Sequence, residues 1–217
     1  MTTQIGNDYI ENQLIWRYAT KRFDAARKIS TRDWQTLELA LRDAPSSFGL
    51  QPWRFITVAD MNLRRQLKEL SWNQPQVVDA SHLIVLAART SVDPAYVESF
   101  LKYTAEVRGQ NPKELEGYGS MINNFVASMP SPVAVESWCT HQTYLALGML
   151  LSTAAMLQID ACPLEGIDRA AYNNALGMAD GEYSVKVAVA LGYRAADDSL
   201  SLAPKVRFAS EKIFERR

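Results

Sequence analysis

The sequence has few of the residues from which catalytic and metal sites are usually built. It contains only two histidines, His82 and His141, and two cysteines, Cys139 and Cys162, in 217 residues. That supply excludes a disulfide framework and makes a metal centre or a Ser–His–Asp triad improbable. We therefore expect no metal, and we expect the two histidines to be hydrogen-bonded core residues and the two cysteines to be small buried hydrophobic ones.

The chain also lacks a strong overall charge and a long hydrophobic run. Its net charge is −1, so no overall field attracts nucleic acid or an anionic membrane. The most apolar run, residues 144–157, is shorter than the roughly 20 residues that a membrane span needs. The N-terminal residues lack the layout of a signal peptide. We expect a cytoplasmic protein that has neither nucleic-acid nor membrane partners.

Sequence motifs for common ligands are missing as well. No GxGxxG, GxxxxGK[ST], CxxC, HExxH or GxSxG pattern is present. The chain nevertheless has the composition of a globular protein, with 47% hydrophobic and 22% charged residues. We expect one domain over residues 1–217.

The spacing of apolar residues predicts an α+β protein. Strands are predicted at residues 54–59, 82–88 and 183–191, with a candidate fourth strand at 159–162. Helices are predicted at residues 7–18, from a Ser30–Asp33 capping box to a point before Pro45, and at 61–70 after Asp60, 94–108, 112–128, 133–157 and 169–176 after Asp168.

The predicted helix at residues 133–157 is apolar almost all round. Such a helix must be enclosed, because water contact on every face would be unfavourable. The monomer could enclose it, or a homodimer interface could be built around it. Both alternatives remain open from the pattern alone, and we favour a homo-oligomer.

Positive charge is concentrated in two segments that contain no acidic residue. Residues 13–23 carry Arg17, Lys21 and Arg22, and residues 199–210 carry Lys205 and Arg207. Converging guanidinium and ammonium groups can hold a phosphate dianion, with charge-assisted bonds of about 1.5–3 kcal/mol each. The alternative is that the segments are two separate solvated loops.

Two proline-containing turns lie between the predicted elements. Residues 44–53 combine two prolines, two serines and a glycine, which gives a stiff loop with hydroxyl and N–H groups free to meet a ligand. Residues 162–166 (Cys-Pro-Leu-Glu-Gly) follow the candidate fourth strand. There Gly166 would let the backbone approach a flat ring closely.

Five motifs in this order resemble those of the oxygen-insensitive NAD(P)H nitroreductases, a family that includes dihydropteridine reductase-like flavoproteins. The resemblance runs from about residue 10 to residue 207. The motifs are Arg17-Tyr18-Ala19-Thr20-Lys21-Arg22-Phe23-Asp24, Pro45-Ser46-Ser47 with Gln51-Pro52-Trp53, Asn73 ahead of Asp79-Ala80-Ser81-His82, Pro163-Leu164-Glu165-Gly166 and Pro204-Lys205-Val206-Arg207.

The resemblance implies an α+β homodimer in which helices surround a central mixed or antiparallel sheet. It implies FMN at the subunit interface and residues 195–217 as an arm that packs on the partner subunit. NADH or NADPH would reduce FMN, and a small planar acceptor, a nitroaromatic or a quinone, would then take two electrons in a ping-pong cycle. The flavin N5 carries this chemistry, so no catalytic side chain is needed.

The resemblance also assigns roles to residues. Arg17, Lys205 and Arg207 would bind the FMN phosphate, while Lys21 and Asn73 would face the pyrimidine edge of the ring. Pro45, Ser46 and Ser47 would come from the partner subunit, and the backbone N–H groups near Glu165 and Gly166 would meet the flavin N5 and O4. The remaining expected cofactor-binding positions are Tyr18, Ala19, Gly49, Gln76, Pro163 and Leu164.

Three positions depart from the pattern of a relative. Ala19 replaces a serine near the phosphate, Gly49 replaces an asparagine, and Gln76 replaces a second lysine near the ring. Loss of that positive charge predicts a lower flavin reduction potential than in relatives with both lysines. Reduction of a pteridine, an enone or a halophenol, or a non-catalytic flavin-binding redox sensor, remain alternatives.

Overall fold

A four-stranded antiparallel sheet forms the centre of the computed structural model, which describes residues 5–178 and 181–217. Its strands are β1 (Trp53–Thr57), β2 (His82–Arg89), β3 (Asp160–Leu164) and β4 (Tyr183–Gly192), in the order β1-β2-β4-β3. The α+β class is confirmed, and the sheet is antiparallel rather than mixed. The central strands β2 and β4 are buried along nearly their whole length, as their continuous apolar sequences require.

Helices surround this sheet at nearly all of the predicted positions. Those described are α1 (Asn7–Trp16), α2 (Thr31–Arg42), α3 (Met61–Glu69), α4 (Gln76–Asp79), α5 (Pro94–Arg108), α6 (Glu116–Ala127), α7 (Pro132–Met156) and α8 (Arg169–Ala175). The short helix α4 was not predicted. The predicted helix 112–128 begins as a separate 3-10 turn, Pro112–Leu115, before α6. Helix α1 ends two residues early, which leaves Arg17 and Tyr18 in the loop that follows.

The predicted helix starts are confirmed by side-chain caps. The Asp60 carboxylate accepts from the backbone N–H groups of Asn62 and Leu63, and Asp168 caps α8 in the same way. At α2, the Ser30 hydroxyl accepts from the Asp33 N–H at 3.0 Å. The reciprocal half of the predicted capping box is wrong: the Asp33 carboxylate accepts from the Ser30 hydroxyl at 2.7 Å, not from its backbone.

Strand β3 is longer than predicted and includes part of the expected turn. Pro163 and Leu164 pair with β4 opposite Val189 and Ala188. A proline is tolerated there because β3 lies at the edge of the sheet, where no further strand needs its N–H. The turn therefore begins at Glu165.

The two faces of the sheet pack against different helices. One face buries Leu67 of α3 and Tyr172 of α8, and the other buries Leu41 of α2 and Leu150 of α7. A third apolar cluster joins α5, α6 and α7. Cys139 and Cys162 are both buried and free, as predicted.

One face of α7 is not covered by any of the residues that the structure describes. Val133, Leu145 and Met149 on this helix are 75%, 51% and 41% exposed. His141 lies one turn before Leu145 and is also exposed, so the prediction that it is a core residue is wrong. His82 is half-buried, stacks on Trp34 at 4.1 Å and lies 3.0 Å from the Ser81 hydroxyl. The described part of the chain thus does not enclose α7, and the interface of a homo-oligomer stays a prediction.

Candidate functional site

The two acid-free basic segments meet at one cavity. It has a volume of about 650 Å³ and opens between the end of α1 and the C-terminal segment. Its lining residues are Ile15, Trp16, Arg17, Tyr18, Ala19, Lys21, Arg194, Leu200, Ser201, Ala203, Pro204, Lys205, Val206 and Arg207. The segments are therefore not two separate solvated loops.

Positive charge in this cavity is not balanced by acidic residues in its lining. Arg194 is paired with Asp160 at 2.6 Å, but Arg17, Lys21, Lys205 and Arg207 line the cavity alongside it. Burial lowers the pKa of Arg17, and repulsion from Arg207 lowers it further. Burial, Arg17 and Arg207 likewise lower the pKa of Lys205. A bound anion would relieve this repulsion.

The C-terminal segment is tied to the end of α1 through Lys205. The Lys205 ammonium donates to the Leu14 carbonyl at 2.7 Å and also to the Arg17 carbonyl. The last carbonyls of a helix have no partner within the helix, so a cation there satisfies them. This contact closes one wall of the cavity.

The N-terminal basic loop is tied to β3 on its other side. Ala19 forms a parallel bridge with Ala161, and the Thr20 N–H donates to the Ala161 carbonyl at 3.4 Å. Lys21 directly follows Thr20, so the basic loop lies beside β3 at this point. The cavity is thus connected to β3, the strand that leads into the turn at Glu165 and Gly166.

The turn after β3 is packed by two aromatic residues that sequence reasoning did not single out. The Tyr144 hydroxyl donates to the Glu165 carboxylate. Trp72 lies against Gly166, where an added Cβ would be 2.7 Å from the Cε3 and Cζ3 atoms of the indole. Trp72 is nevertheless 81% exposed. The close approach explains why position 166 needs glycine, and the outer face of the indole is open to a ligand.

Asn73 and Gln76 follow Trp72 but are placed differently. Trp72 and Asn73 both have left-handed backbone angles, with φ of 52° and 56°. Gln76 begins α4 and is buried. Its Oε1 atom has no hydrogen-bond partner among the described residues. Gln76 therefore lies behind the basic loop and is not part of the cavity lining.

The loop with Pro45, Ser46 and Ser47 does not line the cavity of its own chain. The Ser47 N–H donates to the Gln142 side chain on α7 at 2.8 Å, and the Gln51 N–H donates to the Ser46 hydroxyl at 2.9 Å. Gly49 has a φ of 73°, which suits glycine better than the asparagine of the relative. The loop is thus held on α7, which is also the helix whose outer face the described residues leave uncovered.

The fold and the residues around the cavity define a flavoprotein-like α+β scaffold, and comparison identifies the family. A profile of the Nitroreductase family matches residues 14–193. The provisionally named NAD(P)H nitroreductase YfkO of Bacillus subtilis (strain 168) is 34% identical over 209 residues, 91% of this chain and 92% of that protein. The chain belongs to the nitroreductase family.

Solved structures show the same fold. A provisionally named nitroreductase ydfN from Bacillus subtilis aligns with a TM-score of 0.86 at 19% identity and covers 98% of this chain and 100% of its own. A provisionally named nitroreductase from Exiguobacterium sibiricum 255-15, solved in complex with FMN, aligns with a TM-score of 0.81 at 24% identity over the full length of both chains.

Residues 5–178 and 181–217 contain neither a membrane-spanning helix nor a cluster of metal ligands. In these ranges no helix is long and apolar enough to cross a membrane. The same residues contain no group of three or more metal-ligating side chains.

Proposed function

We propose that the protein is an FMN-dependent NAD(P)H oxidoreductase that reduces nitroaromatics or quinones by two-electron transfer. The observation that carries this proposal is the convergence of Arg17, Lys21, Lys205 and Arg207 on one cavity whose lining contains no acidic residue. The membership of the nitroreductase family and the NAD(P)H in the name of the relative YfkO support it.

The residues present fit the phosphate of FMN. Arg17 and Arg207 offer planar donor groups suited to phosphate oxygens, and Lys205 adds a third cation. The lowered pKa values of Arg17 and Lys205 show that these charges are crowded and partly desolvated. A phosphate dianion would neutralise them. A cavity of about 650 Å³ also lies within the usual range of about 300–1,000 Å³ for ligand pockets.

The residues beyond the phosphate site fit a flat ring. Lys21 lies near β3, and its positive charge would stabilise the electron-rich reduced flavin. Gly166 has no side chain to hold a ring away from its N–H, and Asn73 follows Trp72 at the same turn. When bound, FMN supplies the hydride chemistry, and the protein binds, orients and tunes it.

The proposed acceptor site is lined by aromatic residues. Phe48 and Phe125 meet edge to face with ring centroids 5.1 Å apart, and Trp138 lies 5.7 Å from Phe125. Phe125 is 39% exposed, so part of this cluster is accessible. Rings of this kind stack on planar acceptors such as nitroaromatics and quinones.

We place this site at the interface of a homodimer. The uncovered face of α7 supplies a surface of exposed apolar side chains, and the loop with Ser46 and Ser47 lies next to it. Residues 195–217 present further exposed apolar side chains, among them Leu202, Phe208 and Phe214. Residues 198–207 of this segment pack on their own chain, so in a dimer the part beyond Arg207 acts as an arm on the partner. The serine loop of one subunit completes the flavin site of the other.

Rapid mixing of the FMN-loaded protein with NADH and with NADPH, without oxygen, tests the function. We expect at least one of the two to bleach the flavin absorbance within a turnover, and a nitroaromatic or a quinone to restore it. Flavin that is bound but bleached by neither nicotinamide would support a redox sensor instead. A protein that takes up no FMN would contradict both functions.

A further inference from the structure

A single carboxylate lies behind the wall of the basic cavity and joins its two halves. Asp198 is 3% exposed and sits in the C-terminal segment. Its Oδ2 atom accepts from the backbone N–H of Lys21 at 2.8 Å, the backbone N–H of Arg22 at 3.0 Å and the Tyr18 hydroxyl at 2.9 Å. Its Oδ1 atom accepts from the Leu200 N–H at 3.2 Å.

The bonds to Asp198 are made by the ionised carboxylate. Burial raises its pKa, but the donors from Arg22, Lys21 and Tyr18 outweigh burial and hold the pKa below the usual range. Bonds to a charged acceptor are roughly twice as strong as bonds between neutral groups. Without this acceptor, two backbone N–H groups and one hydroxyl in the basic loop would lose their partner.

Asp198 fixes the backbone of the basic loop between its two cavity-lining cations. Arg17 and Lys21 lie on either side of Tyr18, and Tyr18 and Lys21 are both bound to Asp198. Lys205 and Arg207 follow Asp198 in the chain and line the same cavity. The carboxylate itself is not part of the cavity lining.

We propose that Asp198 is a positioning residue that holds the loop of residues 17–22 in the shape that binds phosphate. Through this loop it sets the preference of the site for FMN over riboflavin, which has the same ring and ribityl chain but no phosphate. The inference rests on the proposed FMN function. Asp198 acts through Arg17 and Lys21 and does not itself contact the ligand.

The neighbouring Asp197 provides a matched control. Its carboxylate pairs with the Arg22 guanidinium at 3.1 Å, and both side chains are 63% exposed. An exposed ion pair of this kind contributes little to the stability of the folded protein. Asp197→Asn therefore removes the same charge one residue away without removing the acceptor of the loop.

The test compares the binding of FMN and riboflavin to flavin-free wild type, Asp198→Asn and Asp197→Asn by fluorescence titration. We expect Asp198→Asn to weaken FMN binding by at least about tenfold, since bonds to a charged acceptor are lost, and riboflavin binding by less than about threefold. Asp197→Asn should leave both affinities within about twofold.

Two results overturn the inference. If Asp198→Asn weakens the binding of FMN and of riboflavin equally, Asp198 has a general structural role. If it does not weaken the binding of FMN, Asp198 has no role in binding. A wild type that binds no FMN would instead contradict the proposed function itself.

Tyr18→Phe keeps the test decisive if Asp198→Asn does not fold. The Tyr18 hydroxyl donates to Asp198. Removal of this hydroxyl deletes one of the hydrogen bonds to the carboxylate and leaves the carboxylate in place. We expect about a threefold loss of FMN affinity and unchanged riboflavin affinity. A ratio of the two affinities equal to that of wild type would count against the inference.

Discussion

The basic cavity and the outer face of α7 differ in how complete they are. The cavity is built by one chain, whose N-terminal loop and C-terminal segment are joined by Lys205 and Asp198. The outer face of α7, in contrast, leaves Leu145 and Met149 exposed, and no element among the described residues covers it. The residues proposed to bind phosphate therefore converge within one chain, whereas in our proposal a second copy completes the ring and acceptor part of the site.

The largest expected effect comes from placing a charge on the uncovered face. Leu145→Glu would bury two carboxylates in a twofold interface, at a cost of several kcal/mol, and should weaken dimerisation by roughly a thousandfold or more. Sedimentation velocity should show a monomer. Val107→Glu on α5 is the control, because Val107 is 66% exposed and should stay so. A dimer that survives Leu145→Glu would place the interface elsewhere.

A slightly smaller effect is expected inside the cavity. Lys205→Ala combined with Arg207→Ala removes two of the cations and should weaken FMN binding by at least about a hundredfold, at about 1.5 kcal/mol or more for each charged contact. Isothermal titration measures the affinity. Arg22→Ala in the same basic loop should change it little, since Arg22 is paired with Asp197 and does not line the cavity. If the double variant binds FMN with unchanged affinity, the phosphate of FMN does not bind in this cavity.

A third prediction concerns the turn where the cavity meets the proposed ring site. Gly166→Ala puts a Cβ 2.7 Å from the exposed indole of Trp72, which can shift, and should lower the free energy of unfolding by about 1 kcal/mol or less. Urea denaturation measures this change, and Trp72→Ala should rescue it. In contrast, Gly117→Ala on α6 meets no atom within 4 Å and should be neutral or stabilising. Additive effects of Gly166→Ala and Trp72→Ala would contradict the contact.

The smallest expected effect is a pH dependence of FMN binding. The pKa of Lys205 in the free protein is lowered, and a phosphate would raise it. Affinity is therefore highest where Lys205 is charged, and it falls as the pH rises through the lowered pKa. We expect about a threefold loss once the pH passes this lowered pKa, which lies below the usual lysine value of about 10.4. Lys205→Arg should abolish it, because a guanidinium stays charged. If the FMN affinity of the Lys205→Arg variant falls equally with rising pH, another group causes the effect.

Local signals were sufficient to predict most of the fold. The apolar runs of β2 and β4 and the caps Asp60 and Asp168 mark their elements directly in the sequence. Pro163 was placed in a turn because a proline argues against a strand, and only the order of the strands shows that β3 is an edge. The exposed side of α7 also could not be predicted, since its sequence is apolar all round and exposure depends on the neighbouring elements.

The charged residues of the candidate site could be predicted from the sequence, but the residues that hold them in place could not. Arg17, Lys21, Lys205 and Arg207 were found because acid-free basic segments are visible in the sequence, and the structure brings them together. Asp198 and Trp72 were missed because their importance lies in contacts across 177 and 94 residues of chain, Asp198 with Lys21 and Trp72 with Gly166. Gln76 is buried and lies outside the cavity lining, and its expected place near the ring stays a prediction.

The most direct measurement is a titration of the flavin-free protein with FMN at several salt concentrations. The account predicts one FMN per chain, bound more tightly than riboflavin, with an affinity that falls as salt screens the cations of the cavity. No uptake of FMN, or an affinity equal to that of riboflavin and independent of salt, would contradict it.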